Sequence, residues 1–217
     1  SKVKTEEKSH EIDPEEIKGV IKKDGRYAVK SRNISRSNFV KLPEKTSPEL
    51  LEFLGLIVAE GSLDKRGDGF SFANIDTDLR ERFKTLCRDL FGVSHFHEDR
   101  EKISVYSKTL LEYLKLLGFE SGSKLNIPGY FFMLPRDEIT AFVRGYFEGD
   151  GTVSIMKLDG VNYPTPILYS VDREFLQEMQ TLIQVKLGIA TKLKEHMTPK
   201  GLMQKLVVRG YEGRVRF

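Results

Sequence analysis

Two acidic side chains, Glu60 and Asp150, are each the eighth residue of a nine-residue stretch that the chain carries twice. The copies read Phe53-Leu54-Gly55-Leu56-Ile57-Val58-Ala59-Glu60-Gly61 and Val143-Arg144-Gly145-Tyr146-Phe147-Glu148-Gly149-Asp150-Gly151, ninety positions apart. Helix-start signals lie upstream. Ser47-Pro48-Glu49 combines an N-cap serine with proline at the first helical position, and Asp137 stands in the place of Ser47 ahead of the second copy. Each copy is therefore expected to close a helix, with Asp137 capping the second. A carboxylate at a helix C-terminus opposes the macrodipole, so two of them at equivalent positions call for a compensating cation. The chemistry such a pair could serve is phosphodiester hydrolysis. That reaction needs an attacking water, a neutralised phosphate and help for the leaving oxygen, which divalent ions held by carboxylates supply.

Glycine within a helix costs up to about 1 kcal/mol relative to alanine, so Gly55 and Gly145 need a reason. Close approach of two helix backbones supplies one, and it would bring Glu60 and Asp150 side by side. The paired motifs resemble the LAGLIDADG signature of homing endonucleases, of the kind carried inside archaeal inteins and introns, and the likeness runs from about Leu42 to the end of the chain. The resemblance implies an α+β homing endonuclease fold of two pseudo-symmetric αββαββα lobes with saddle-shaped antiparallel sheets. It implies a site-specific double-strand DNA endonuclease that uses Mg²⁺, with Mn²⁺ or Ca²⁺ substituting for binding, and leaves short 3′ overhangs. Glu60 and Asp150 would be the catalytic metal ligands, with backbone carbonyls of Ala59 and Gly149 beside them. Lys124, in Lys124-Leu125-Asn126-Ile127-Pro128, resembles the family's lysine block between the motifs and would stabilise phosphate charge. Val58 departs from the consensus acid at the sixth place, where Glu148 keeps it. A non-cleaving DNA-binding regulator or an RNA-splicing maturase on the same fold is the alternative.

The elements around the motifs repeat as well. Strands are expected over Ser62 to Arg66 and Phe70 to Asn74, then a helix from Thr77 to Phe91 with Leu79, Phe83, Leu86 and Leu90 on one face. Short strands near His95-Phe96-His97 and Lys102 to Tyr106 follow, and a helix from Lys108 to Leu117 ends at Gly118. Asn74–Val93 aligns without a gap on Ser170–Ile189, which pairs Asp76 with Asp172 as N-caps and Gly92 with Gly188, and implies a duplicated lobe. The domain reading is a basic N-terminal extension over 1–46, a first lobe over 47–134 and a second over 135–217. The second is expected to be truncated, lacking the counterpart of Lys115 to Pro128.

Strand alternation separates a core-facing set from an outward set. Leu63, Val153, Ile155, Leu193, Leu206 and Val208 are expected inward. Ser62, Asp64, Arg66, Lys102, Ser154, Lys192, Lys194, Lys205 and Arg209 then face outward, together with His95, His97, Ser104, Tyr106, Thr152, Met156 and Val207. A surface so mixed in polar and basic groups suits major-groove readout of double-stranded DNA. Between Ile17 and Lys45 nine Lys or Arg stand against Asp24 and Glu44, which suits phosphate contact, with Arg32 and Arg36 in a loop or arm. Ahead of that arm, Lys23-Asp24-Gly25-Arg26 marks a hairpin with a type I′ turn. Residues 1–16 lack apolar periodicity and are expected to be mobile.

The bulk composition narrows the classes. At 217 residues and 39% hydrophobic content the chain can bury a sizeable core, and its net charge of +3 does not by itself name a partner. No apolar run suits a membrane span and no signal-peptide pattern appears, so a cytoplasmic monomer, a pseudo-dimer of two lobes, is expected. The 31% charged content without tryptophan hints at a thermophile. Cys87 reads as a buried thiol, and His95, His97 and His196 lack a zinc pattern. No splicing nucleophile is paired with a closing His-Asn.

Overall fold

The computed structural model describes residues 7–29, 39–64, 67–119, 126–158, 160–199, 201–210, 213 and 217. Two helices form its axis: α1 (Pro48–Glu60) and α4 (Arg136–Asp150) make the most extensive contact between elements among the described residues. Each carries its motif glycine where the other's backbone arrives. A Cβ added to Gly55 would stand 2.8 Å from the Tyr146 nitrogen and closer still to the Phe142 carbonyl oxygen, and one on Gly145 would collide with the Glu52 carbonyl oxygen. The cost of a mid-helix glycine is thus offset by backbone packing that no side chain would permit.

Each axial helix runs directly into a sheet. In the first lobe β3 (Gly61–Leu63), β4 (Phe70–Ala73), β6 (Lys102–Val105) and β5 (His97–Glu98) lie side by side in that order. In the second lobe the order is β7 (Gly151–Leu158), β8 (Val161–Ser170), β10 (Gly201–Val208) and β9 (Thr191–Thr198). All pairs are antiparallel. Behind the sheets lie α2 (Thr77–Phe91) and α3 (Lys108–Leu116) in the first lobe and α5 (Arg173–Leu182) in the second. The duplication is visible in the caps. Asp76 accepts from the N–H groups of Asp78 and Leu79, Asp172 accepts from those of Glu174 and Phe175, and Gly92 and Gly188 close the two helices with φ of 68° and 69°. The copies differ where α5 widens into a π turn over Ile183–Leu187.

Phe53, Phe70, Phe72, Phe83 and Phe91 form one aromatic cluster in the first lobe, and the apolar sheet faces and helix stripes join it in a single core. Cys87 lies in that core, where burial pushes its thiol up out of reactive range. On one flank of the axis Glu52, its side chain 4% exposed, accepts from Arg82 at 2.7 and 2.6 Å and from Arg144 of the other lobe at 2.5 Å. Burial would raise this carboxyl, but the two guanidinium groups outweigh it and hold it below its ordinary value. The position ninety residues on, Phe142, is buried and apolar, so the ionic tie occupies one flank only.

Several expectations change. Asp137 does not cap α4: Pro135 is the N-cap and Asp137 sits in the first turn, where its charge still favours the helix N-terminus. The strand near His95 begins only at His97, and in the connection before it Arg88 lies over the Phe96 ring. The charged segment expected to be mobile is packed from Glu7 onward. Lys8 N–H donates to the Met133 carbonyl at 3.2 Å, Ser9 bonds Glu138, His10 stacks on Tyr130 and Ile12 is buried, so this segment ties both lobes at the foot of the axis. The hairpin is present as β1 (Val20–Lys23) and β2 (Arg26–Val29), with positive φ at Asp24 and Gly25. Val153 and Ile155 share the helix-side face yet are 54% and 65% exposed, since β7 and β8 run out beyond the helices that cover Pro166 and Leu168.

If the glycines exist for backbone contact, Gly55→Ala lowers stability by about 1–3 kcal/mol, the cost of overpacking. Gly129→Ala, where an added Cβ meets nothing within 4 Å, stays within about 0.5 kcal/mol of the parent. Denaturant unfolding of both variants checks the contrast.

Candidate metal centre and nucleic-acid interface

The axial packing sets the positions of the two acids. Gly61 N–H closes α1 on the Ile57 carbonyl and Gly151 N–H closes α4 on that of Phe147, which leaves the carbonyls of Ala59 and Gly149 beyond the last intrahelical acceptor. Gly149 lies directly against the other motif: a Cβ there would be 2.6 Å from the Ala59 Cβ and 2.9 Å from the Glu60 Cγ. Glu60 and Asp150 thus emerge together from the foot of two sheets, both half-buried.

Their electrostatics follow from this crowding. Burial, then the charge of Glu60, pushes the Asp150 carboxyl up to about 7, against the opposing pull of the Tyr146 hydroxyl. Burial also raises Glu60, and a hydrogen bond from Asn74 Nδ2 to Glu60 Oε1 at 3.1 Å acts the other way. Asn74 is itself fixed, because its Oδ1 accepts from the Asp76 N–H at 2.8 Å and its carbonyl accepts from Arg80. Tyr146 is fully buried and donates to the Tyr169 carbonyl at 2.6 Å. No Lys or Arg among the described residues pairs with either acid, whereas Glu52 nearby has two arginines. Two desolvated carboxyls with hard carbonyl oxygens beside them are a donor set that suits a divalent cation. No cluster of three or more His, Cys, Asp or Glu fit for a metal occurs among the described residues, so remaining positions on such an ion would fall to carbonyls, water or phosphate.

The sheet faces turned away from the helices collect most of the outward set. Ser62, Ser71, Ser104 and His97 form one row across the first sheet, with Lys102 and Tyr106 beside it. There a shallow cavity of about 420 Å³ is lined in part by Ser62, Asp64, Ser71 and Lys102. In the second sheet Thr152, Ile167, Val207 and Lys192 share a row, Tyr169, Lys205 and Lys194 a second, and Ser154 pairs with Thr165. Arg209 is exposed just past β10, its N–H bonded to the Ala190 carbonyl. His95 is exposed in the loop before β5. Arg32, Arg36, Arg66 and Lys124 lie outside the described residues. Asn74 and Tyr146 escaped sequence reading; a signal did exist, a phenol at the fourth motif place where the first copy has Leu56.

Comparison with known proteins agrees with this geometry. Residues 137–217 match the family model of the LAGLIDADG-like domain. The fold superposes on I-DmoI in complex with DNA and Mn with a TM-score of 0.54, at 14% identity over 78% of this chain and 93% of that one. The chain has the fold of the LAGLIDADG homing endonucleases, and its second lobe carries a LAGLIDADG-like domain. The homing endonuclease I-WcaI, bound to its DNA recognition sequence, superposes with a TM-score of 0.51 at 11% identity, over 74% of this chain and 76% of that one. The N-terminal LAGLIDADG domain of DUF199/WhiA does so with a TM-score of 0.52 at 19% identity, over 78% and 79%. Among curated proteins, the replication factor C small subunit of Methanocaldococcus jannaschii is 30% identical over 154 residues, 68% of this chain and 8% of that protein. A DNA polymerase of Thermococcus sp. (strain GE8) is 29% identical over 215 residues, 92% of this chain and 12% of that protein. The chain therefore spans only 8% to 12% of the length of these two curated relatives.

The raised Asp150 carboxyl sets a stability profile for the metal-free protein. A folded value of about 7 lies above the ordinary 3.8. The contribution of Asp150 is therefore fully present below about pH 4 and is lost as pH rises toward 7. Asp150→Asn should remove this loss and leave the apo protein about 1–3 kcal/mol more stable than the parent at pH 8, after discounting for solvent screening. Urea unfolding of both proteins in chelator at pH 4 and pH 8 measures it; an equal effect of the substitution at both values would contradict the assignment.

Proposed function

We propose that this protein is a site-specific double-strand DNA endonuclease that hydrolyses phosphodiester bonds with Mg²⁺ and starts the homing of an archaeal intein or intron. The observation that carries the reading is the meeting of Glu60 and Asp150, one from each lobe, desolvated, within reach of each other's charge and unpaired with any described cation. A bound divalent ion would supply what this pair lacks, an activated water and a counter-charge for phosphate. The chain's own residues do the positioning. Asn74 holds one oxygen of Glu60 and leaves the other for a ligand, the Tyr146 hydroxyl lies close to Asp150 while donating to the Tyr169 carbonyl, and the Ala59 and Gly149 carbonyls stand beside the two acids. Lys124 is assigned to the phosphate charge, and Lys102, Lys192, Lys194, Lys205 and Arg209, with Arg32, Arg36 and Arg66, to the duplex. Mn²⁺ or Ca²⁺ would substitute for Mg²⁺ in binding.

The pattern of relatives supports the homing part. Stretches similar to this chain occupy small fractions of proteins with unrelated tasks, among them a replication factor, a DNA polymerase, an A-type ATP synthase subunit and a translation initiation factor. One body recurring inside such different hosts suits a self-contained mobile insert. Both acids come from one chain, so a monomer suffices, and we place its action in the cytoplasm. The second reading, a DNA-binding regulator that does not cut, is favoured by the likeness to the DUF199/WhiA domain.

Incubation with a randomised duplex library and Mg²⁺, followed by sequencing of cut ends, should return one dominant site with short 3′ overhangs. Asp150→Asn should cut that site at least about a hundredfold more slowly while binding it in Ca²⁺ within about threefold of the parent, as loss of a group acting only in the transition state requires. Tight binding without cutting by the parent would select the regulator.

A further inference from the structure

Both lobes carry the same small device where the second strand of the sheet returns to the axis. An aliphatic residue stands between two polar ones, Asn74-Ile75-Asp76 after β4 and Ser170-Val171-Asp172 at the end of β8, at equivalent positions of the repeat. Ile75 is 77% and Val171 79% exposed, the highest values of any large apolar side chain among the described residues. Strand alternation assigns both to the open face of the sheets: Ile75 follows Ser71 and Ala73, and Val171 follows Ile167 and Tyr169. The backbone is anchored around each of them. Asn74 Oδ1 accepts from the Asp76 N–H at 2.8 Å and Ser170 Oγ from the Asp172 N–H at 3.0 Å, and both aspartates cap helices. Each triplet also adjoins an acid, since Asn74 donates to Glu60, and Tyr146, whose hydroxyl lies close to Asp150, donates to the Tyr169 carbonyl.

One exposed aliphatic side chain is ordinary. Two at equivalent positions, each anchored beside an acid, call for a ligand that offers apolar surface on both sides of the axis. On a duplex the phosphates of opposite strands stand closest across the minor groove, about 6 Å wide against about 12 Å for the major groove. A pair of neighbouring acids that cuts both strands therefore works from that groove. Apolar side chains presented to the minor groove enter between base steps, unstack them and bend the duplex. We infer that Ile75 and Val171 are a pair of minor-groove wedges, which open the base steps next to the cut positions and so bring the scissile phosphates to the acids. They are positioning residues. Their contact is made with the strained duplex, so its loss falls on the cutting rate more than on affinity. The inference deepens the proposed function and rests on it.

The test uses the full chain and the duplex enriched from a randomised pool. Aminopurine placed at the central steps reports their unstacking by its fluorescence, read in Ca²⁺ so that cutting plays no part. Wild-type protein should raise that fluorescence. Ile75→Ser/Val171→Ser, whose side chains are exposed and whose fold is checked by melting temperature, should bind within about threefold of the parent, lose the rise, and cut at least about tenfold more slowly in Mg²⁺. A mismatch built into the central steps opens them beforehand and should restore most of the variant's rate, whereas a variant that had merely displaced Asn74 or Ser170 would stay slow. Wild-type protein that leaves the fluorescence unchanged, a variant that keeps the rise, or a variant that the mismatch does not rescue overturns the inference and leaves the endonuclease reading standing. Wild-type protein that enriches no duplex, or does not cut the one it enriches, overturns both readings.

Discussion

The packing of α1 on α4 through bare backbone is the constraint on which everything else in this protein depends. Gly55 and Gly145 let two helices approach more closely than any side chain would allow, and the helices end together as a result. That coincidence puts two carboxyls where neither is fully hydrated. The same approach starts β3 and β7 from neighbouring helix ends, so both sheets begin at the acids. In the function proposed, metal chemistry and duplex binding would both follow from this single packing arrangement.

The pseudo-symmetry is a frame on which the lobes have diverged. One flank of the axis is tied by Glu52 between arginines of both lobes, whereas the equivalent position on the other flank is the buried Phe142. Glu60 is held by an amide and Asp150 is faced by a phenol. The desolvation of Glu52 offsets much of its attraction to the two partly exposed arginines, so the cluster contributes little net stability. Placed on one flank only, the Glu52 cluster makes the two sides of the axis chemically different.

Much of this was legible in the sequence because it is local. Serine and aspartate caps, a terminal glycine and an Asp-Gly turn act within a few residues, so the bounds of α2, the hairpin and the repeated acid-glycine endings could be read directly. The mid-helix glycines signalled a long-range contact through their local cost. What escaped was set by distant partners. Asn74 read only as the end of a strand until β4 carried it to Glu60, and Tyr146 only as the fourth residue of its motif. The N-terminal charges gave no apolar period, yet individual contacts such as Lys8 to Met133 order them. Alternation placed Val153 and Ile155 on the correct face but could not tell that the covering helices stop short of them.

The central claim is that Glu60 and Asp150 share bound cations beneath a duplex. Anomalous diffraction from a crystal of the protein on its enriched target, grown with Mn²⁺, tests it most directly. The account predicts manganese peaks within coordination distance of both carboxyls and of a scissile phosphate. Peaks confined to other sites, with the two carboxyls apart and bound to protein groups alone, would contradict it.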